Sequence, residues 1–288
     1  YRDEAEDVWE QVDVPHTWNA TDGTSPDYYR GDGTYRYTLS VSPAMMKKRI
    51  FLRFEAASQK AEVKLNGQEV GEHVGGFNAF CFEITPYVHS GENLLEVAVS
   101  NRKELNIAPL EGDFTVFGGI YRPVSLLLLP KACITPLDYA SSGVYVSQQV
   151  GERRADLSVV TKVDNGLKRV KELSVKTDVF DAAGKLVATT TTSQAAEGQA
   201  RLDFTNRLTV DNPMLWDGRK SPYLYRVFVE LKRGKEVLDT LSQYVGLRSF
   251  RVDAEKGFIL NGKPYKIKGV NRHQDRPDKG WAISSADH

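Results

Sequence analysis

The sequence predicts an all-β protein made of two consecutive sandwiches and the beginning of a third region. Three observations carry this prediction. Short runs of alternating apolar and polar residues recur along all 288 residues, Asn-Gly pairs separate some of them, and few segments have the length and 3.6-residue period of a helix. Apolar residues make up 41% and charged residues 26%, which is the balance of an ordinary globular chain.

The first region, residues 1–130, is predicted to be a jelly-roll sandwich of two antiparallel sheets. The runs GTYRYTLSV (33–41) and RIFLRFEAAS (49–58) place apolar side chains at every second position. Asn66-Gly67 lies between two further alternating runs, which is the strongest short-range signal of a β-hairpin. We also expect residues 120–129 to form the closing strand of this sandwich.

The second region, residues 131–251, is predicted to be an immunoglobulin-like sandwich. Two prolines in PKACITP (130–136) disfavour strand pairing and mark the boundary. About seven short strands follow, among them ADLSVVTKV (155–163) and YLYRVFVEL (223–231). Residues 252–288 hold another turn signal, Asn261-Gly262, but are too few for an independent domain.

Composition argues against several classes of function. Lys and Arg together equal Asp and Glu at 38 each, so the chain lacks the basic excess of a dedicated nucleic-acid-binding protein. No apolar run approaches the roughly 20 residues that span a bilayer, so no membrane association is expected. The two cysteines and five scattered histidines predict neither a disulfide framework nor a metal site in this chain.

Two polar stretches could carry chemistry. Trp18, Tyr28, Tyr29 and Tyr35 lie in a loop-rich segment with several charged residues, where aromatic rings could stack on the apolar faces of a sugar or could merely pack the loops. NRHQD (271–275) directly follows a strand-like run. If that run is the first strand of a parallel barrel, these residues lie at its functional end; otherwise they are a polar loop.

Three segments occur in an order that resembles glycoside hydrolase family 2, the family of β-galactosidases, β-glucuronidases and β-mannosidases. They are GGIYRPVSLLLLP (118–130), NPMLW…YVGLRSF (212–250) and GFILNGKPYKIKGVNRHQD (257–275). The resemblance covers nearly the whole chain. It implies a sugar-binding jelly roll, an immunoglobulin-like sandwich and then a (β/α)8 catalytic barrel, of which residues 252–288 would be the incomplete start.

The resemblance also implies substrate-binding residues. Asp113 stands where family members have an acidic residue that reaches the terminal sugar, and Phe114 and Phe117 would hold its loop in place. Arg30 and Asp32 are candidates for the same rim, and Arg272 and His273 match the family's Asn-Arg-His segment. Where many members continue with Glu, this chain has Gln274 instead.

The resemblance implies a retaining, exo-acting β-glycosidase that uses two glutamates on later barrel strands. We therefore expect no catalytic residue within these 288 residues and no activity of this chain alone. β-Galactosidase is favoured on family frequency, with β-glucuronidase or β-mannosidase as alternatives within the family. A non-catalytic carbohydrate-binding or adhesion module is the alternative outside it.

The partners follow from the same reading. The expected partner is a carbohydrate, with a homo-oligomer as a further option and no nucleic acid. No cofactor is expected in this chain, although a full-length family member could hold a divalent or alkali metal ion. The sequence does not determine the compartment, and a periplasmic or secreted location is favoured over a cytoplasmic one.

Overall fold

The computed structural model describes residues 1–3, 8–22, 25–110, 112, 114–168, 172–196, 198 and 200–287. The chain divides into two compact units. Unit 1 comprises Tyr1–Leu129 together with Arg272–His288, and unit 2 comprises Pro130–Asn271. Strands dominate both units, as the sequence predicted.

The strands of unit 1 are β1 (Arg2–Asp3), β2 (Val8–Trp9), β3 (Asp32–Val41), β4 (Arg49–Phe54), β5 (Lys60–Leu65), β6 (Gln68–Val74), β7 (Phe80–Glu83), β8 (Gly91–Ser100) and β9 (Val124–Leu129). They form two antiparallel sheets, in the strand orders β2-β1-β3-β8-β5-β6 and β7-β4-β9. Three-residue 3₁₀ helices at Met45–Lys47, Thr85–Tyr87 and Ser285–Asp287 complete the unit.

The core of unit 1 lies between these sheets, where alternate residues of each strand meet. Leu39, Phe54 and Val97 are among its buried members. The predicted hairpin at Asn66-Gly67 is confirmed: it joins β5 to β6, and both residues have positive φ, at 53° and 77°. The predicted closing strand begins at Val124 rather than at residue 120, because Pro123 has no N–H to donate to a strand ladder.

The strands of unit 2 are β10 (Ala132–Ile134), β11 (Val144–Val150), β12 (Arg154–Asn165), β13 (Glu172–Phe180), β14 (Leu186–Ala195), β15 (Ala200–Asp211), β16 (Tyr225–Arg233), β17 (Glu236–Val245), β18 (Phe250–Asp253), β19 (Gly257–Leu260) and β20 (Lys263–Pro264). They form two larger antiparallel sheets and one small one. In the first large sheet β12 pairs along one edge with β10 and β11 and along the other with β15. The second large sheet has the order β14-β13-β16-β17.

A continuous apolar core fills unit 2, with Leu173, Phe204 and Val229 among its buried residues. The segment between β15 and β16 closes against this core. The Tyr225 hydroxyl accepts a hydrogen bond from the Met214 N–H at 2.8 Å, and the Arg248 guanidinium lies 5.1 Å from the Trp216 ring. These residues therefore pack the corner of the domain.

The last 37 residues divide between the units. Strands β18, β19 and β20 form a small antiparallel sheet, with the predicted Asn261-Gly262 turn between the last two. Residues 265–275 form no strand, and Ile267 and Val270 are exposed. From Arg272 onward the chain belongs to unit 1. The described helices are three-residue turns, none long or apolar enough to cross a membrane.

Candidate functional site

A buried amide organises the loops of unit 1 that carry the predicted site residues. Asn101 follows β8 and is fully buried. Its Oδ1 accepts the Gly31 N–H at 2.8 Å, and its Nδ2 donates to the Val116 carbonyl at 2.9 Å. One side chain therefore ties the 28–32 loop to the 112–121 loop, and the satisfied hydrogen bonds offset the cost of burying an amide.

Arg30 belongs to the same network. Its Nε donates to the Asn101 carbonyl at 2.7 Å, and its Nη2 donates to Gln59 Oε1 at 3.0 Å. Gln59 is itself buried and donates to the Pro109 carbonyl at 3.3 Å. The guanidinium is thus held at the base of the loops. Its proposed contact with substrate stays a prediction.

Asp32 begins β3 and forms an ion pair with Arg102. Arg102 Nε lies 2.6 Å from Asp32 Oδ2, and the two side chains are 63% and 30% exposed, respectively. An exposed pair of this kind contributes at most about 1 kcal/mol to stability. The carboxylate therefore has a protein partner already, and its role at a sugar site stays a prediction.

Asp113 lies outside the described residues, so its side chain is not placed. The residues that follow it are anchored firmly. The Val116 N–H donates to the Tyr28 hydroxyl at 3.2 Å, and the Gly118 N–H donates to Asn19 Oδ1 at 2.8 Å. Phe117 is buried, whereas Phe114 is 36% exposed. Phe117 rather than Phe114 therefore fixes this loop.

The Gly118-Gly119 pair permits a close approach of the loop to its neighbours. A Cβ on Gly118 would lie 2.1 Å from the Trp18 ring, and one on Gly119 would lie 2.5 Å from the His16 carbonyl oxygen. Gly119 also has a φ of 120°, which disfavours any residue with a Cβ. Both glycines are required by this packing.

Trp18 and Tyr35, two of the aromatic residues named from the sequence, pack against other residues of the protein, as the second of the two interpretations predicted; sugar stacking by Tyr28 or Tyr29 stays a prediction. Tyr35 is buried, and its hydroxyl lies 2.8 Å from His16 Nδ1. Trp18 stacks on Tyr1 with ring centroids 5.8 Å apart. Burial, and then the nearby amino group of Tyr1, lowers the pKa of His16 to about 4. This histidine is therefore neutral at physiological pH.

Arg272 and His273 are exposed and stand where the chain re-enters unit 1. Their substrate-binding role stays a prediction. Among the described residues, no three His, Cys, Asp or Glu side chains are grouped so as to hold a metal ion.

Sequence reasoning missed Gln59, Asn101 and Trp281. The first two are buried polar residues that connect loops distant in sequence, and no local motif marks them. Trp281 packs against Phe117 of the Asp113 loop. A tryptophan directly after Gly280, in an otherwise polar tail, was the one available signal for it.

Comparison with known proteins identifies the family of both units. Residues 3–130 match the sugar-binding domain of glycosyl hydrolases family 2, and residues 142–248 match a second domain described as glycosyl hydrolases family 2. A β-glucuronidase of Bacteroides fragilis is 40% identical over 96% of this chain and 40% of its own length. β-Galactosidase BoGH2A of Bacteroides ovatus is 33% identical over 98% of this chain and 33% of its own.

Solved structures agree with this assignment. Bacteroides uniformis β-glucuronidase 2, covalently bound to cyclophellitol-6-carboxylate aziridine, superposes with a TM-score of 0.91 at 38% identity, covering 99% of this chain and 34% of that one. A D341A D367A calcium-binding mutant of that enzyme superposes with a TM-score of 0.88 at 38% identity, covering 96% and 34%. The chain thus spans a third to two-fifths of these relatives, and it belongs to glycosyl hydrolase family 2.

Proposed function

We propose that this chain is the amino-terminal portion of a retaining, exo-acting β-glycosidase, and that β-glucuronides are its first candidate substrates. The sequence alone favoured galactose on family frequency. The observation that favours glucuronate is the 40% identity to a protein named β-glucuronidase, against 33% to one named β-galactosidase. β-Galactosides remain the second candidate on the strength of that second relative.

The catalytic carboxylates lie beyond these residues in this proposal. A retaining glycosidase needs two carboxyl groups about 5–5.5 Å apart, one to attack the sugar and one to protonate the leaving oxygen. A barrel of about 250 residues, the usual size of the (β/α)8 fold, would supply them. Ile267 and Val270 are exposed and lie in a stretch without strand partners. These two exposed apolar side chains favour the proposal, because a barrel domain could cover them. The chain Tyr1–His288 alone would then be inactive.

In this proposal unit 1 contributes contacts at the sugar end of the site. Asp113, with Arg272 and His273, would bind sugar hydroxyls, and Arg30 and Asp32 would shape the rim. A charge-assisted hydrogen bond to a hydroxyl is worth about 1.5–3 kcal/mol, enough to affect substrate use strongly. The name of the mutant relative implies a calcium site in that protein, and a divalent metal ion in the full-length form of this one is part of the proposal.

A panel of nitrophenyl β-glycosides tests the proposal. The full-length protein should hydrolyse the β-D-glucuronide faster than the β-D-galactoside or β-D-mannoside, whereas Tyr1–His288 alone should hydrolyse none. Proton NMR of the first-formed sugar should show the β-anomer, the mark of retention. Faster turnover of the galactoside would reverse the order of the two candidates. No turnover of any glycoside would favour the non-catalytic binding module.

A periplasmic or secreted location, with carbohydrate as the partner and a homo-oligomer as the assembly, completes the proposal. Fractionation of the producing cells checks the first part, and light scattering of the full-length protein checks the last.

A further inference from the structure

Unit 1 has a second apolar cluster, separate from the core between its sheets. Ala56, Phe117, Tyr121 and Trp281 form it, and each is buried. We call it the aromatic box. Trp281 comes from the segment that returns to unit 1 after unit 2 is complete, which we call the strap, residues 272–287. The box therefore joins parts of the chain that lie far apart in sequence.

Trp281 lies at the centre of the box. Its ring centroid is 5.5 Å from that of Phe117, 5.2 Å from that of Tyr121 and 5.4 Å from that of the partly exposed Phe77. The tilted and edge-on arrangements are those that aromatic pairs prefer. The Tyr121 hydroxyl donates to the Gly76 carbonyl at 2.5 Å. The box thus connects the 76–77 turn, the 112–121 loop and the strap.

The strap is ordered by its own contacts as well. Arg276 and Gly280 form a β-bridge, and Gly280 has a φ of 51°. A Cβ on Gly280 would lie 2.6 Å from the Phe117 ring, so the turn must carry glycine to bring Trp281 into place. Asp287 accepts hydrogen bonds from the Ser284 N–H at 2.7 Å and from Lys279 Nζ at 2.8 Å. These contacts close the strap into a compact turn.

The box lies close in sequence to both groups of predicted substrate residues. Phe117 follows Asp113 by four residues, and Trp281 follows His273 by eight. Arg272 and His273 themselves are exposed and have no strand around them. Trp281 is the nearest fully packed side chain after them: along the intervening residues 274–279, each is at least partly exposed.

From this geometry we infer that Trp281 is a positioning residue for the sugar site. Its packing in the aromatic box fixes the strap, and so holds His273 where it can contact the sugar on the same unit as the Phe117 loop. The inference rests on the proposed glycosidase function and goes beyond it, since it assigns a positioning role to a buried residue of the aromatic box.

A double-mutant cycle in the full-length enzyme tests this inference. The variants are His273→Asn, Trp281→Ala and their combination, assayed for kcat/KM on p-nitrophenyl β-D-glucuronide, or on the galactoside if that is the better substrate. Loss of a hydrogen bond from His273 should lower kcat/KM by about tenfold or more in the wild-type background. In the Trp281→Ala background, His273→Asn should lower kcat/KM by less than about threefold, because the imidazole that it removes is no longer held in place.

Two further variants separate positioning from loss of stability. Leu65 is fully buried in the main core of unit 1, beside the Asn66 turn. Leu65→Ala should therefore destabilise the unit. In this background His273→Asn should lower kcat/KM by the same factor as in the wild-type enzyme. Trp281→Phe keeps a smaller ring in the box. In this background the loss of kcat/KM caused by His273→Asn should lie between the losses in the wild-type and Trp281→Ala backgrounds. It also serves as the test variant if Trp281→Ala does not fold.

Equal costs of His273→Asn in the wild-type, Trp281→Ala and Trp281→Phe backgrounds would overturn the positioning role and leave the glycosidase intact. A wild-type kcat/KM in the single His273→Asn variant would overturn it too, since there would be no contact to position. Absence of turnover by the wild-type enzyme would instead overturn the proposed function, and this inference with it.

Discussion

Asn101 of unit 1 and Asn206 of unit 2 are both completely buried, but the two units use these side chains differently. Asn101 of unit 1 satisfies both ends of its amide by bonding loop backbone at Gly31 and Val116. Asn206 of unit 2 donates to strand carbonyls at Val175 and Thr190, and its Oδ1 has no hydrogen-bond partner among the described residues. Unit 1 thus depends on a polar side chain to hold irregular loops. Unit 2 depends on its ladders and apolar core.

The largest expected effect is that of Asn101→Ala. This change leaves the Gly31 N–H and the Val116 carbonyl without partners in a buried position, which should cost about 3 kcal/mol in the free energy of unfolding. Hydrogen-exchange mass spectrometry of the full-length protein should show lost protection in the 28–32 and 112–121 loops and none in unit 2.

The matched control is Asn206→Ala, which removes two donations to strand carbonyls together with an Oδ1 that has no partner among the described residues. Because the loss of that buried, unpartnered oxygen offsets part of the loss of the two hydrogen bonds, we expect a cost of about 1–2 kcal/mol in the free energy of unfolding, less than for Asn101→Ala. If the two variants lost equal stability, the contrast between the units would not hold.

Asp113→Asn should come next. The substitution keeps the size of the side chain but removes a charge-assisted hydrogen bond to a sugar hydroxyl, which is worth roughly 1.5–3 kcal/mol. We expect kcat/KM on the better nitrophenyl glycoside to fall by about 10- to 150-fold, with an unchanged melting temperature. Wild-type kinetics in this variant would make Asp113 an ordinary loop residue.

The smallest expected effect is a difference in acid sensitivity. Burial lowers the pKa of His16 to about 4, so the folded state binds fewer protons than the unfolded state between pH 6.5 and 4. The stability from this group is complete above pH 6.5 and is lost as the pH falls towards 4. Because the ring is only half-buried, we expect a loss of about 1–2 kcal/mol in unit 1.

Unit 2 has no histidine, so its stability should change little between pH 6.5 and 5. Urea titrations followed by hydrogen exchange at several pH values would separate the two units, and His16→Gln should flatten most of the slope in unit 1. Burial also lowers the pKa of His73, so the stability of unit 1 in the His16→Gln variant should still fall slightly as the pH is lowered.

Local patterns in the sequence predicted the regular parts of both units. The Asn66-Gly67 and Asn261-Gly262 turns formed as predicted because their backbone requirements are set by two adjacent residues. Alternation likewise placed Leu39 and Val229 in the cores. Each of these features depends only on residues that are close together in the sequence.

The arrangement of the candidate site could not be predicted in the same way. The Arg30 guanidinium donates to Asn101 and Gln59, which lie 71 and 29 residues away, and no local pattern predicted these partners. The return of Trp281 to Phe117 is equally non-local. Such contacts depend on which loops the finished sandwich brings together, and no periodicity encodes that.

The position of the strap at the end of the chain affects how unit 1 folds during synthesis. A ribosome completes residues 1–129 first, then all of unit 2, and only then delivers Trp281. Until that moment Phe117 and Tyr121 lack their central neighbour, so the nascent first sandwich exposes two aromatic side chains that the finished chain buries. Premature termination within unit 2 would therefore leave Phe117 and Tyr121 without Trp281, and proteases and chaperones would recognise the exposed apolar surface.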